Sequence, residues 1–141
     1  MYILYTDHLT LLERPDSQAA VRLQQRLEPI PPDEIVTTII TYEEQTRGWF
    51  AFLAGVRTVA AQVKAYRRLN RHLENYRNWE VLPFDEAAAV HFQRLKSSRL
   101  KVGTMDLKIA AIALATSATL LTRNTIDFAR IPGLDHADWT A

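Results

Sequence analysis

Short apolar segments alternate along this chain with longer stretches in which apolar residues recur every three or four positions. The short segments are rich in β-branched residues and predict strands. We place these strands at Tyr2–Tyr5, Ile35–Ile40, Val81–Leu82 and Thr119–Thr122. The second segment, IVTTII, is apolar or β-branched at every position, which is typical of a strand buried on both faces of a parallel sheet.

The longer stretches have the periodicity of helices. Asp7 or Thr6 is a candidate N-cap for the first helix, and Asp16 or Ser17 for the second. Further helices are predicted at about 42–55, 57–77, 85–97 and 103–118. Because strands and helices alternate, we expect an α/β fold, a three-layer α/β/α sandwich with a mainly parallel sheet of four to five strands.

Composition narrows the class of protein. The chain has 141 residues, enough for one domain with a core but too few for two. It contains no cysteine, which excludes disulfides, thiolate zinc sites and cysteine nucleophiles. It has no apolar run of about 18 residues, so no membrane association is expected and we predict a cytoplasmic protein. The net charge of +1 indicates no particular partner.

Acidic and amide side chains follow three of the predicted strands and open the central helix. They are Asp7, Glu44, Asp106, Asn124 and Asp127. In open parallel sheets, ligands bind outside the carboxyl ends of the strands. Clustered carboxylates repel one another unless a cation lies between them, and all-oxygen ligands suit Mg²⁺ or Mn²⁺. The pattern favours metal-assisted phosphodiester hydrolysis, although each acid alone is compatible with a helix cap or a solvated charge.

Four segments together resemble a PIN domain of the VapC toxin type. They are YILYTDHLTLL at 2–12, TTIITYEEQTRG at 37–48, GTMDLKIAAIAL at 103–114 and LLTRNTIDFARIPGL at 120–134. The resemblance implies one PIN domain over residues 1–141. It also implies the toxin component of a type II toxin–antitoxin system, an endoribonuclease that uses Mg²⁺ or Mn²⁺. Its implied partners are RNA, a cognate antitoxin and a second copy of the chain.

The resemblance assigns roles to individual residues. Glu44, Asp106, Asn124 and Asp127 match the catalytic positions, and Gly48 stands four residues after Glu44 as the pattern asks. The implied metal ligands are Glu44, Asp106, Asp7 and Asn124. Candidate contacts to RNA phosphates are Arg123, which lies near the proposed crevice in the sequence, and Thr6 and Thr122.

Position 5 departs from the pattern, which asks for aspartate where this chain has Tyr5. A neutral phenol supplies no negative charge at neutral pH and is bulkier than a carboxylate. We therefore hypothesise that the ribonuclease is disabled in this chain. In the alternative, Tyr5 packs beneath the sheet edge and Asp7 replaces the missing ligand. His8 is expected to make a local hydrogen bond.

Two other functions remain open on the sequence alone. The first is a catalytically dead PIN domain that serves only to bind an antitoxin. The second is a phosphatase of the haloacid dehalogenase type, whose first strand ends in D-x-D. The YTD segment at 5–7 matches that pattern without its nucleophile, and no matching lysine motif is evident.

Overall fold

Five short strands form a fully parallel sheet at the centre of the computed structural model, which describes residues 1–141. The strands are β1 (Tyr2–Leu4), β2 (Ile35–Thr38), β3 (Val81–Leu82), β4 (Thr119–Leu121) and β5 (His136–Ala137). Their order across the sheet is β3-β2-β1-β4-β5. In the register, Ile3 lies opposite Val36 on one side and Leu120 on the other. The predicted α/β fold with a parallel sheet is confirmed.

Seven α-helices surround the sheet. They are α1 (Thr6–Leu12), α2 (Gln18–Leu27), α3 (Ile39–Gly55), α4 (Val59–Arg77), α5 (Glu86–Ser97), α6 (Thr104–Thr116) and α7 (Thr125–Phe128). A single 3₁₀ turn, Pro32–Glu34, leads into β2. None of the helices combines the length and apolar character that crossing a membrane requires.

Each face of the sheet carries its own layer of helices because successive side chains of a strand point to opposite faces. Ile3 and Leu120 join a large cluster with α5 and α6. Their neighbours Leu4 and Leu121 join a smaller cluster with α2. Helix α6 is buried from Ile109 to Ala113, which confirms the predicted central helix and the three-layer arrangement.

Caps decide where the elements begin, and they move several predicted boundaries. Strand β2 ends at Thr38 rather than Ile40 because the Thr38 hydroxyl accepts a hydrogen bond from the Thr41 N–H and starts α3. Strand β1 ends at Leu4, and Tyr5 takes the N-cap position of α1 that we assigned to Asp7 or Thr6. Strand β4 ends one residue earlier than predicted, at Leu121.

The chain changes direction across the sheet at β1. From β1 it proceeds to β2 and β3 on one side, and later returns to place β4 and β5 on the other. The carboxyl ends of β1, β2 and β4 therefore meet at one edge of the sheet. This is the kind of crevice in which ligands bind in open α/β sheets.

The hydrophobic core includes buried side chains from the central strands, and removing one of them should destabilise the fold. We expect Leu120→Ala to lower the free energy of unfolding by about 3 kcal/mol, because the side chain is fully buried and its removal leaves a cavity. Val90→Ala, on the exposed face of α5 with 67% of its side chain accessible, is the control and should cost below about 0.5 kcal/mol. Urea titration of both variants tests this; equal losses would show that β4 is not in the core.

Candidate active site

The candidate site lies at the carboxyl ends of the three central strands. Tyr5 follows β1 directly and caps α1. Glu44 lies in α3, in its second turn, because the Thr38 cap begins that helix early. Asp106 lies in the first turn of α6, where the helix dipole favours a negative charge. Sequence positions 5, 44 and 106 thus reach one crevice through three different elements.

Tyr5 is bonded directly to one of these acids. Its hydroxyl donates a hydrogen bond of 2.7 Å to Oδ1 of Asp106. Its ring meets Phe128 edge to face, with 5.5 Å between ring centroids. Burial raises the pKa of the phenol well above its usual range, and the Asp106 hydrogen bond and the charges of Asp106, Glu44 and Asp7 raise it further. Tyr5 is therefore a neutral hydrogen-bond donor at physiological pH.

The acids around Tyr5 act on one another. Burial raises the pKa of Asp106, the Tyr5 hydrogen bond acts in the opposite direction, and the charges of Asp127 and Asp7 raise it again. Burial raises the pKa of Glu44, and the charge of Asp106 adds to this effect. Asp106 thus interacts electrostatically with Glu44, Asp7 and Asp127, and we call this partly buried set of acids the acidic hollow.

Asp7 uses both of its carboxylate oxygens inside the chain. Oδ1 lies 2.8 Å from Nδ1 of His8. Oδ2 accepts hydrogen bonds from the backbone N–H of Arg123 at 2.9 Å and from the hydroxyl of Thr122 at 3.2 Å. Asp7 therefore ties the start of α1 to the segment that follows β4.

His8 extends this network to the end of the chain. The side chain is fully buried, and its Nε2 accepts a hydrogen bond of 3.2 Å from the backbone N–H of Trp139. Since Nε2 is the acceptor, Nδ1 carries the proton and donates it to Asp7. The local bond expected for His8 is present. The bond to Trp139, 131 positions away, had no signal in the sequence.

Asn124 and Asp127 form a pair at the start of α7. The Asn124 side-chain amide donates to Oδ2 of Asp127 at 3.0 Å, and its oxygen accepts from the Asp127 backbone N–H at 3.4 Å. Arg130 forms an ion pair of 2.9 Å with the other Asp127 oxygen. Asn124 is joined to the Asp7 network because its backbone N–H donates to the Thr122 hydroxyl at 3.0 Å.

The three residues considered for phosphate contact differ in availability. The Thr122 hydroxyl is buried and bonded to Asp7 and Asn124. The Thr6 hydroxyl is buried without a hydrogen-bond partner. Arg123 is exposed at the surface.

Burial raises the pKa of Asp138, but hydrogen bonds from Thr140 and charges that include Arg123 hold it below its usual range.

The residues of the acidic hollow do not fit a divalent cation as they stand. No three histidine or acidic side chains are placed so that they could hold a metal ion together. One oxygen of Asp106 is bonded to a neutral phenol, and both oxygens of Asp7 accept hydrogen bonds within the chain. Tyr5 itself adds a neutral hydroxyl to this set of acids and no carboxylate.

Comparisons with known proteins identify relatives over nearly the whole chain. The PIN domain family matches residues 7–134. Ribonuclease VapC1 of Haemophilus influenzae strain R2866 is 30% identical over 145 residues, which covers 99% of this chain and 98% of the relative.

Solved structures agree with this result. The structure of VapBC-1 from nontypeable Haemophilus influenzae superposes with a TM-score of 0.74 at 27% identity, covering 99% of this chain and 98% of the other. FitAcB from Neisseria gonorrhoeae superposes with a TM-score of 0.72 at 22% identity, covering 99% and 98%, and supports the fold.

The Asp7 network predicts a loss of stability when its carboxylate is removed. Asp7→Ala leaves the Arg123 N–H, the Thr122 hydroxyl and the His8 ring without their acceptor, so we expect the free energy of unfolding to fall by about 2–4 kcal/mol. Asp16→Ala removes an exposed acid and should change it by less than about 0.5 kcal/mol. Denaturant unfolding checks both, and similar values for the two would contradict this role for Asp7.

Because the pKa of Glu44 is raised, replacing its carboxyl with a neutral amide should increase the free energy of unfolding in a pH-dependent way. Unfolded, this carboxyl titrates near its ordinary value of about 4.3. Folded, its pKa is higher, so its ionisation opposes folding increasingly as the pH rises through that interval. We expect Glu44→Gln to stabilise the chain by about 0.5–1 kcal/mol at pH 7, with no gain at pH 3.

The control for this effect is Glu43→Gln, the neighbouring acid on the same helix, which forms an ion pair with Arg47. It should give no gain at pH 7. Thermal unfolding of both variants across the pH range measures the difference. A Glu44→Gln gain that is the same at pH 3 and pH 7 would mean that charge is not its cause.

Proposed function

Since this chain belongs to the PIN domain family and is of the VapC toxin type, we propose that it is a toxin component whose metal-dependent ribonuclease site is disabled by Tyr5. The hydrogen bond of 2.7 Å between the Tyr5 hydroxyl and Asp106 carries this proposal. It places a bulky neutral group within the acidic hollow, at the position where the VapC pattern has aspartate.

The remaining residues support an RNA-cleaving ancestry. Glu44, Asp106, Asn124 and Asp127 bring carboxylate and amide oxygens to the same region, and such oxygens suit Mg²⁺ or Mn²⁺. With aspartate at position 5, Glu44 and Asp106 would have a third carboxylate beside them. In the chain with Tyr5 we assign no metal-dependent step to the site, because the donor set is incomplete.

We propose the cognate antitoxin and a second copy of the chain as protein partners in the cytoplasm. The structures of VapBC-1 from nontypeable Haemophilus influenzae and of a toxin–antitoxin complex from Klebsiella pneumoniae share this fold. Helices α3 and α4 expose large apolar side chains that a partner would cover. The most accessible include Phe50, Phe52, Val59, Val63, Tyr66 and Leu73.

The alternative functions have less support. A haloacid dehalogenase-type phosphatase is not favoured because the PIN domain family matches residues 7–134. A PIN domain retained only to bind an antitoxin differs from our proposal in one respect: restoring position 5 would not restore cleavage.

The experiment is therefore restoration of the carboxylate. We expect Tyr5→Asp to cleave single-stranded RNA in the presence of Mg²⁺ at least about 100-fold faster than the unmodified chain, with activity abolished by EDTA. The matched control is the double variant Tyr5→Asp, Asp106→Asn, which should be as slow as the unmodified chain. Electrophoresis of an end-labelled RNA measures all three.

Two results would contradict the proposal. If the unmodified chain cleaves RNA as fast as Tyr5→Asp, then Tyr5 does not disable the site. If Tyr5→Asp folds normally and takes up Mn²⁺ but cleaves no RNA, then the ribonuclease assignment is wrong.

A further inference from the structure

A second cavity lies beside the acidic hollow. It has a volume of about 570 Å³ and opens between α1, α3, α4 and the residues that follow α4. Trp49 and Trp79 contribute indole rings to its lining, and Arg14, Arg68 and Arg71 contribute guanidinium groups. We call it the arginine–tryptophan pocket. A volume of this size is in the range that accommodates small organic ligands.

No arginine of this pocket forms an ion pair with a carboxylate of the chain, although the charge of Arg14 acts on the neighbouring Glu13. None of the three has a carboxylate oxygen within 4.0 Å, whereas the arginines that do form ion pairs, Arg47, Arg77 and Arg130, lie outside the pocket. Glu13 is the single acid in the lining, and burial raises its pKa. The pocket therefore carries net positive charge and favours an anionic ligand.

The other lining groups indicate what kind of anion would fit. Indole faces stack on nucleobases regardless of their identity, and guanidinium groups bind phosphates through paired hydrogen bonds. Asn78 adds an amide of the type that reads base edges, whereas the Asn75 amide is hydrogen-bonded to the Glu13 carboxyl. His72 is buried in the lining, and burial lowers its pKa, so it presents a neutral ring. This combination matches a nucleotide better than a simple acidic side chain.

The pocket is connected to the acidic hollow through Tyr76. This residue lines the pocket, and its hydroxyl donates a hydrogen bond of 2.5 Å to the side chain of Gln45, the residue after Glu44. Burial raises the pKa of Tyr76, and the charges of Glu13 and Glu44 contribute. The charges of Glu13, which lines the pocket, and of Glu44, in the acidic hollow, thus both act on Tyr76. Glu44 therefore lies near enough to the pocket for its charge to act on a residue of the lining.

We propose that the arginine–tryptophan pocket binds one nucleotide of a single-stranded RNA, next to the phosphodiester that lies over the acidic hollow. The base stacks on the indole rings and the phosphate contacts Arg68 and Arg71. This inference rests on the proposed function, because it takes RNA as the substrate class. It concerns binding, so it applies to the chain with Tyr5 as well as to a restored enzyme.

The first test measures affinity without cleavage. A fluorescein-labelled single-stranded RNA of about eight nucleotides is titrated with the full chain in EDTA, and anisotropy is followed at several salt concentrations. We expect the double variant Arg68→Gln, Arg71→Gln to bind at least about tenfold more weakly, with a log–log salt dependence shallower by about 0.7, the value for one phosphate that is no longer neutralised. The matched control, Lys64→Gln with Arg67→Gln, removes two charges from the same helix outside the pocket and should lose less than about threefold.

The second test detects stacking. RNA should quench the tryptophan fluorescence of the unmodified chain, and should not quench the double variant Trp49→Phe, Trp79→Phe. That variant keeps Trp139, which packs against Tyr2 outside the pocket, with 4.8 Å between the ring centroids. Circular dichroism and thermal unfolding confirm that each variant is folded before its binding is compared.

Three outcomes would overturn the inference. In the first, the control variant loses as much RNA affinity as the pocket variant. In the second, RNA still quenches the fluorescence of the variant without Trp49 and Trp79. In the third, the Arg68 and Arg71 variant keeps its RNA affinity and loses binding to the antitoxin instead, which would make the pocket a protein-docking site. If Tyr5→Asp cleaves RNA while pocket variants bind it normally, only this inference fails. If Tyr5→Asp is inactive while the pocket binds RNA as described, only the ribonuclease proposal fails.

Discussion

Repulsion between carboxylates at the ends of parallel strands is the constraint on which this site depends. The topology brings Glu44, Asp106 and Asp127 to one hollow, where burial makes each additional negative charge harder to accommodate. A bound divalent cation usually compensates such clustered negative charge. In this chain Tyr5 acts differently, because its hydroxyl donates a hydrogen bond to Asp106 and adds no negative charge. Under the proposed function, the residue that adds no negative charge to the hollow also leaves position 5 without a carboxylate ligand.

A hydrogen-bond network fixes the geometry around the hollow. It runs from Trp139 through His8 and Asp7 to the segment after β4, and then through Thr122 to Asn124. Its members come from both ends of the chain, so the network links the first helix to the segment that follows β5. Asp7 therefore acts mainly as a structural acid, which makes it a weak substitute for the carboxylate absent from position 5.

The sequence predicted the fold well because buried parallel strands and capped helices have local signatures. IVTTII predicted β2, Ser17 was one of two candidate caps for α2, and the helices predicted at about 85–97 and 103–118 correspond to α5 and α6. Helix α7 escaped prediction because four residues carry too little periodicity, and β5 escaped because its residues, His136 and Ala137, are neither β-branched nor strongly apolar, unlike those of the equally short β3.

The partners within the site were less predictable than its acids. That Tyr5 bonds Asp106 depends on two elements 101 positions apart. The hydrogen bond between Trp139 and His8 depends on where the residues after β5 lie at the sheet edge. The arginine–tryptophan pocket likewise draws on α1, α3 and α4, and no single stretch of sequence contains its pattern.

Calorimetric titration with Mn²⁺ tests the central claim most directly, because it asks whether Tyr5 closes the metal position without requiring any activity. The unmodified chain and Tyr5→Asp are titrated under identical conditions, after both are shown to be folded. We predict no measurable binding to the unmodified chain and binding of about one ion per chain to Tyr5→Asp. Tight binding of Mn²⁺ to the chain that retains Tyr5 would contradict the account.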